Sequence, residues 1–101
     1  MKDKSSIKKI AIETLNLEAK SIKKSIESIN SEFEKIINII HKNKGKLIIT
    51  GIGKSGIIGM KIVATLNSTG TPSIFLHASD AMHGDIGIVQ QKDIIMFISK
   101  S

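Results

Sequence analysis

The chain has 101 residues, 41% hydrophobic but only 3% aromatic, with neither Trp nor Tyr; it can fill one small domain or a piece of a larger one, around an aliphatic core made chiefly of Ile. Fifteen basic against nine acidic residues give a net charge of +6, which points to an anionic partner. The lack of cysteine excludes disulfides, thiolate catalysis and Cys-based zinc sites, and suits a reducing cytoplasm.

The positive charge is unevenly spread: residues 1–46 carry 11 lysines and 6 acids, residues 47–101 only 4 and 3. Acids are interspersed among the leading lysines and no aromatic platform accompanies them for stacking bases, so they read as a solvated helix face and no nucleic-acid partner is expected. Met1 to Lys9 is too polar for a signal peptide. No apolar run approaches the roughly 20 residues of a membrane-spanning helix. The expectation is a soluble, cytoplasmic protein with no membrane partner.

From Ile12 to Ile40 apolar residues recur in alternating steps of three and four, at Ile12, Leu15, Ala19, Ile22, Ile26, Ile29, Phe33, Ile36 and Ile40, which is the period of a helix. Ser31 and Glu34 resemble a capping box, so the reading is two helices, over about 5–29 and 32–43, with a break near Asn30. A single long coiled-coil helix fits the same stripe.

After Gly45 the pattern changes to Leu47-Ile48-Ile49-Thr50, a β-branched run typical of a buried parallel strand. The segment 57–67 reads as a helix that Gly70-Thr71-Pro72 stops. Strands follow at Ser73 to Leu76 and Ile94 to Ile98, with a loop containing one helical turn over His77 to Asp85. Strand, helix, strand, connection, strand is the opening half of a three-layer α/β domain, a flavodoxin-like parallel sheet between helices, preceded by a helical leader. The sheet is expected to be incomplete, since no further strand follows the third.

Between the first strand and its helix lies Gly51-Ile52-Gly53-Lys54-Ser55-Gly56-Ile57-Ile58-Gly59. Glycines there permit a tight turn and close approach of a ligand, and the N–H groups opening the helix favour an anion. A dinucleotide fingerprint needs an acidic residue at the end of the second strand, but that strand ends Phe75-Leu76-His77. A Walker loop needs Gly where Ile48 stands. A purely structural turn, with Lys54 in solvent, is the bland alternative. Against it stands the company at the other strand ends: His77, Asp80, His83 and Asp85 after the second, Ser99 and Ser101 after the third, in a fold that gathers ligands at the carboxyl ends of its strands. His77 and His83 are not at helical metal spacing, though His with Asp leaves a divalent ion open. Ser99 and Ser101 read either as the start of a phosphate loop or as an ordinary polar strand end.

Taken together, Gly51-Ile52-Gly53-Lys54-Ser55-Gly56, Ala64-Thr65, Ser68-Thr69-Gly70-Thr71-Pro72-Ser73, His77, Ala81, His83-Gly84-Asp85, Gly87, Asp93 and Ile98-Ser99 resemble the D-arabinose 5-phosphate isomerases, sugar-phosphate isomerases built on an SIS domain. The likeness runs from about residue 45 to the end. It implies an SIS fold over 45–101, and interconversion of D-ribulose 5-phosphate and D-arabinose 5-phosphate for the eight-carbon acid sugar of lipopolysaccharide or capsule. It also implies a homo-oligomer, dimer or tetramer, with the helical leader, residues 1–44, serving dimerisation. Residue by residue, Lys54 matches a catalytic lysine, with Gly53 and Ser55 in the same substrate-binding turn. Gly70 and Thr71 match a substrate-contacting pair, His77 a substrate contact that can also hold zinc, and His83 a second substrate-contacting histidine. Ser99 and Ser101 fall on the start of a phosphate-binding loop. No cofactor is required by this reading, zinc being the one candidate. Members continue with further catalytic residues and most carry two CBS modules, so the chain alone is expected to be inactive. A non-catalytic phosphosugar-binding regulator is the alternative.

Overall fold

The computed structural model describes residues 4–82 and 84–99. Contacts divide it into two units, one ending at Ile36 and one beginning at Ile37. The division falls inside a helix, whereas the change of sequence pattern placed the boundary after Lys44.

In the first unit, α1 spans Lys4–Lys24 and closes with Lys23 and Lys24 in its last turn, where positive charge suits the helix dipole. A 3-10 turn at Ser25–Ser28 follows, and Ile29 is extended (φ −84°, ψ 96°). α2 spans Ser31–Lys42. Its cap is Asn30, not the expected Ser31. The Asn30 side-chain oxygen accepts the Phe33 N–H at 3.0 Å, and the Asn30 carbonyl accepts the Glu34 N–H at 3.2 Å, the first helical bond. Both residue types cap well; the extended Ile29 makes Asn30 the last non-helical residue, so Ser31 falls inside the first turn. Every residue from Ile7 to Ile39 is exposed.

The second unit is built on three parallel strands, β1 (Leu47–Gly51), β2 (Ser73–His77) and β3 (Ile94–Ile98), in the order β2-β1-β3. Gly51 lies level with His77 on one side and with Ile98 on the other. β1 is buried along its whole length, which is why it reads as an unbroken apolar run rather than an alternating one. α3 (Lys54–Ser68) joins β1 to β2 and packs on the face carrying Ile49 and Phe75. A Cβ at Gly59 would stand 2.9 Å from the Phe75 ring and 3.1 Å from the Ile49 side chain, and one at Gly56 would meet the Gly51 carbonyl at 3.1 Å. These two glycines, one turn apart, serve helix–sheet contact rather than a ligand. The opposite face is bare along β3, where Ile95 and Phe97 are 50% and 57% exposed.

The connection from α3 to β2 is a complete helix stop. Gly70 takes φ +97°, and the Thr71 N–H reaches the Leu66 carbonyl at 2.9 Å, the six-to-one bond of a Schellman ending. Asn67 then clamps the start of β2, accepting the Ser73 N–H at 2.8 Å and donating to the Ser73 carbonyl at 2.9 Å. At the same edge Asp93 fastens β3 to β1. Its carboxylate accepts the Lys46 N–H at 3.0 Å and the Gln90 N–H at 2.8 Å, and meets the Lys46 Nζ at 2.6 Å. Hydrogen bonding from Lys46 first, then from the Gln90 backbone, holds this carboxyl below the usual Asp value. α4 (Ala78–Met82) and a 3-10 turn at Asp85–Ile88 occupy the expected loop before β3.

Candidate functional site

The strand order sets where a ligand can sit. From β1 the chain crosses through α3 to β2 on one side, and β3 then returns to the other side of β1. In open parallel sheets the crevice outside the carboxyl ends of two strands that diverge in this way is the usual ligand site. Here a cavity of about 430 Å³ lies there, lined by Ile52, Lys54, Ser55, Phe97, Ile98 and Ser99, within the size range of small-molecule sites.

Local sequence explains this geometry. Gly53 takes φ +61°, ψ −130°, a conformation closed to side-chain-bearing residues, and it turns the chain from β1 directly into α3. The helix therefore begins at the strand end, with its first N–H groups lacking helical partners. No side chain caps it and no acid lies in its first turn; instead Lys54 adds a positive charge to the positive end of the dipole. That placement is unfavourable for the helix alone and favourable for holding an anion.

A second cavity of about 200 Å³ lies at the ends of β1 and β2, lined by Gly51, Ile52, Gly53, His77, Ala78 and Ser79. Ile52, 70% exposed, borders both. Lys54, Ser55 and Ser99 thus share one cavity, while Gly53 and His77 share its neighbour. The His77 ring meets the Phe75 ring edge-on, centroids 4.9 Å apart. Gly70 and Thr71 are not at this rim: they precede β2, at the amino ends of the strands, and line a separate cavity of about 230 Å³ with Leu47 and Ile94. Their conformation and hydrogen bonding are those of the α3 stop, so their place in a substrate site is not supported within a single copy of the chain. His83 and Ser101 lie outside the described residues.

Among the described residues no group of three His, Asp or Glu could hold a metal ion. Sequence reasoning overlooked Ile52 and Phe97 as walls. Thr50, near the end of β1, has a hydroxyl that is buried without a hydrogen-bond partner.

An open parallel α/β sheet with a switch-point crevice is the class that fold and site define. Residues 39–101 match the SIS domain model, so the chain belongs to the SIS-domain family. It is 46% identical over 93 residues to a probable arabinose 5-phosphate isomerase of Haemophilus influenzae, covering 92% of this chain and 28% of that protein. Among solved structures it is similar to the c3406 protein of Escherichia coli CFT073 in complex with arabinose 5-phosphate, with TM-score 0.93 and 38% identity, covering 99% of this chain and 53% of that one. A putative phosphosugar isomerase involved in capsule formation from Bacteroides fragilis gives TM-score 0.74 and 39% identity, covering 90% of this chain and 50% of that one. The chain therefore spans under a third of the curated relative and about half of each solved structure.

Proposed function

We propose that this chain forms the Lys54 half of a sugar-phosphate isomerase site that interconverts D-ribulose 5-phosphate and D-arabinose 5-phosphate. The observation that carries the reading is the crevice between the ends of β1 and β3, where Lys54, Ser55 and Ser99 face one cavity beside an uncompensated helix amino terminus. The phosphate sits at the helix start and the serine hydroxyls. Lys54 faces the oxygen that becomes negative when the proton beside the carbonyl is removed. The arabinose 5-phosphate bound by the Escherichia coli relative supports this substrate, and the Bacteroides fragilis relative supports a capsule sugar as its destination; a lipopolysaccharide sugar is the companion reading. No cofactor enters the reaction.

Among the described residues the cavity is lined by a cation, hydroxyls and apolar groups, with no carboxylate. Proton transfer needs a base within hydrogen-bond reach, so the 101-residue chain binds sugar phosphate without turning it over. That same lack favours the second reading, a phosphosugar-binding regulatory module without chemistry. Titration of the chain with arabinose 5-phosphate, followed by amide NMR, tests the site. Shifts should map to 52–55 and 97–99, and Lys54→Ala should weaken binding about tenfold or more, the worth of one charge-assisted hydrogen bond. Absence of binding sinks the site assignment. Turnover abolished by Lys54→Ala would show the chain to be active alone, and a longer natural polypeptide that binds without turnover would establish the regulatory reading.

A further inference from the structure

We infer that Ile52 sets the length of sugar phosphate that the crevice accepts, as a wall that admits a five-carbon chain and turns away a six-carbon one. The inference rests on the crevice reading proposed above and concerns a side chain with no charge and no polar atom. Among the described residues Ile52 alone lines both the cavity of about 430 Å³ on the β3 side of β1 and the cavity of about 200 Å³ on the β2 side. The two differ in chemistry. On the β3 side stand Lys54, serine hydroxyls and the uncapped start of α3; on the β2 side stand His77 and Ser79.

The two neighbours of Ile52 fix the wall in place. A Cβ on Gly51 would stand 3.1 Å from the Gly56 nitrogen and 3.1 Å from the Ile98 carbonyl oxygen, so the backbone just before Ile52 is held closely between the start of α3 and the end of β3. Gly53, just after it, takes φ +61°, although nothing lies within 4 Å of a Cβ built there. Conformation rather than crowding calls for glycine at that point. The isoleucine itself is β-branched and restricted at χ1. At 70% exposure it adds little to the core and keeps its surface for whatever occupies the crevice.

A chain anchored by its phosphate at the start of α3, and running along the strand ends toward β2, meets Ile52 side-on. A sixth carbon would press on a fixed methyl surface. Its hydroxyl would leave water without gaining a partner, which costs free energy. Across the wall the Ser79 hydroxyl and the His77 ring offer such partners, but the isoleucine stands between. Length is therefore discriminated by shape and by polarity at once, and one carbon unit in a close-fitting pocket is commonly worth about 10–200-fold.

Arabinitol 5-phosphate and mannitol 1-phosphate test this, because both are open chains that cannot isomerise and they differ by a single carbinol. Titrated into the 101-residue chain and followed by amide NMR, the five-carbon compound should bind about tenfold or more tightly than the six-carbon one, with shifts at 52–55 and 97–99 and none at 77–79. Ile52→Ala should cut that preference to about threefold or less by tightening the binding of mannitol 1-phosphate, whose shifts should then extend to Ala78 and Ser79. Inorganic phosphate, too short to reach the wall, should bind the parent and Ile52→Ala alike. Ile58→Ala, which removes another exposed isoleucine that lines neither cavity, should change nothing. Should Ile52→Ala lose phosphate binding as well, Ile52→Val, which shortens the wall by one methyl and keeps the branch, carries the test through a partial loss of preference. Equal binding of the two polyol phosphates by the parent, an unchanged preference in the Ile52 variants, or shifts at 77–79 when the parent binds the five-carbon compound overturns the inference and leaves the crevice reading standing. A parent that binds neither inorganic phosphate nor arabinitol 5-phosphate sinks the crevice reading and this inference with it.

Discussion

Gly45 stands where β1 and β3 are fastened together, and replacing it by alanine should weaken the sheet unit more than any other single-methyl addition outside the crevice. An added Cβ would press into the Lys92 carbonyl oxygen, 2.5 Å from its carbon and 2.9 Å from the Asp93 nitrogen. All of these are backbone atoms, unlike the Phe75 ring opposite Gly59, so no rotamer change can relieve them. Relief requires β3 to move away, and three bonds resist: Asn43 Nδ2 to the Lys92 carbonyl at 2.8 Å, the Lys46 N–H to Asp93 at 3.0 Å, and the Ile94 N–H to the Lys46 carbonyl at 3.1 Å. Overpacking costs about 1–3 kcal/mol. Loss of one neutral hydrogen bond adds about 1 kcal/mol. A total of about 2–4 kcal/mol follows, a large part of the stability expected for a chain of this size. Thermal unfolding by circular dichroism should then show a midpoint lowered by roughly 8–32 °C, at about 4–8 °C per kcal/mol. Gly87→Ala is the control, since nothing lies within 4 Å of its added Cβ. If Gly45→Ala unfolds within 2 °C of the parent, about the shift expected for half a kcal/mol or less, the close fit of β3 against this turn is wrong.

Removing the cap of α2 by Asn30→Ala should cost about 1 kcal/mol, while Ser31→Ala should be close to neutral; denaturant titration separates the two, and the reverse order would restore Ser31 as the cap. Thr50→Val should stabilise the fold by about 1 kcal/mol, because it replaces a buried hydroxyl without a partner by a methyl group of similar size; a loss in guanidinium unfolding would reveal a hidden hydrogen bond. Asp93 has a folded pKa below its usual value, so the unfolded chain binds its proton at the higher pH. Its stabilisation is complete above about pH 4 and is lost as pH falls through the depressed folded value. Acid titration of Asp93→Asn should therefore show a shallower loss of stability below about pH 4 than the parent, and identical acid limbs would refute the pairing.

Periodicity carried most of the fold. The step from 3.6-residue spacing to the run Leu47-Ile48-Ile49 marks the change from helix to a strand buried on both faces, and β1 has no exposed face in the structure. The break near Asn30 was legible because Ser and Asn disfavour a helix interior, but which of them caps depends on the conformation of Ile29, and no local pattern encodes that. α3 starts at Lys54 rather than at 57, since apolar spacing cannot sense a first turn made of Lys, Ser and Gly. At the candidate site, the gathering of Lys54, Ser55 and Ser99 around one cavity was legible from their places just after strands. Gly70 and Thr71 were drawn in by family likeness; their position before β2 puts them at the other end of a parallel sheet. The partition of His77 from Lys54 by Ile52 depends on side-chain packing that one-dimensional spacing does not contain.

Gly51 pairs with Ile98 across a separation that encloses α3, β2 and α4. Lys54 and Ser99 therefore become neighbours only when β3 pairs with β1, and such long-range pairing forms slowly. Ligand capture and retention of β3 are then a single equilibrium: the sugar phosphate proposed above should, on binding the crevice, hold β3 against fraying. Amide exchange along Ile94–Ile98 would report occupancy of the pocket without any assay of chemistry.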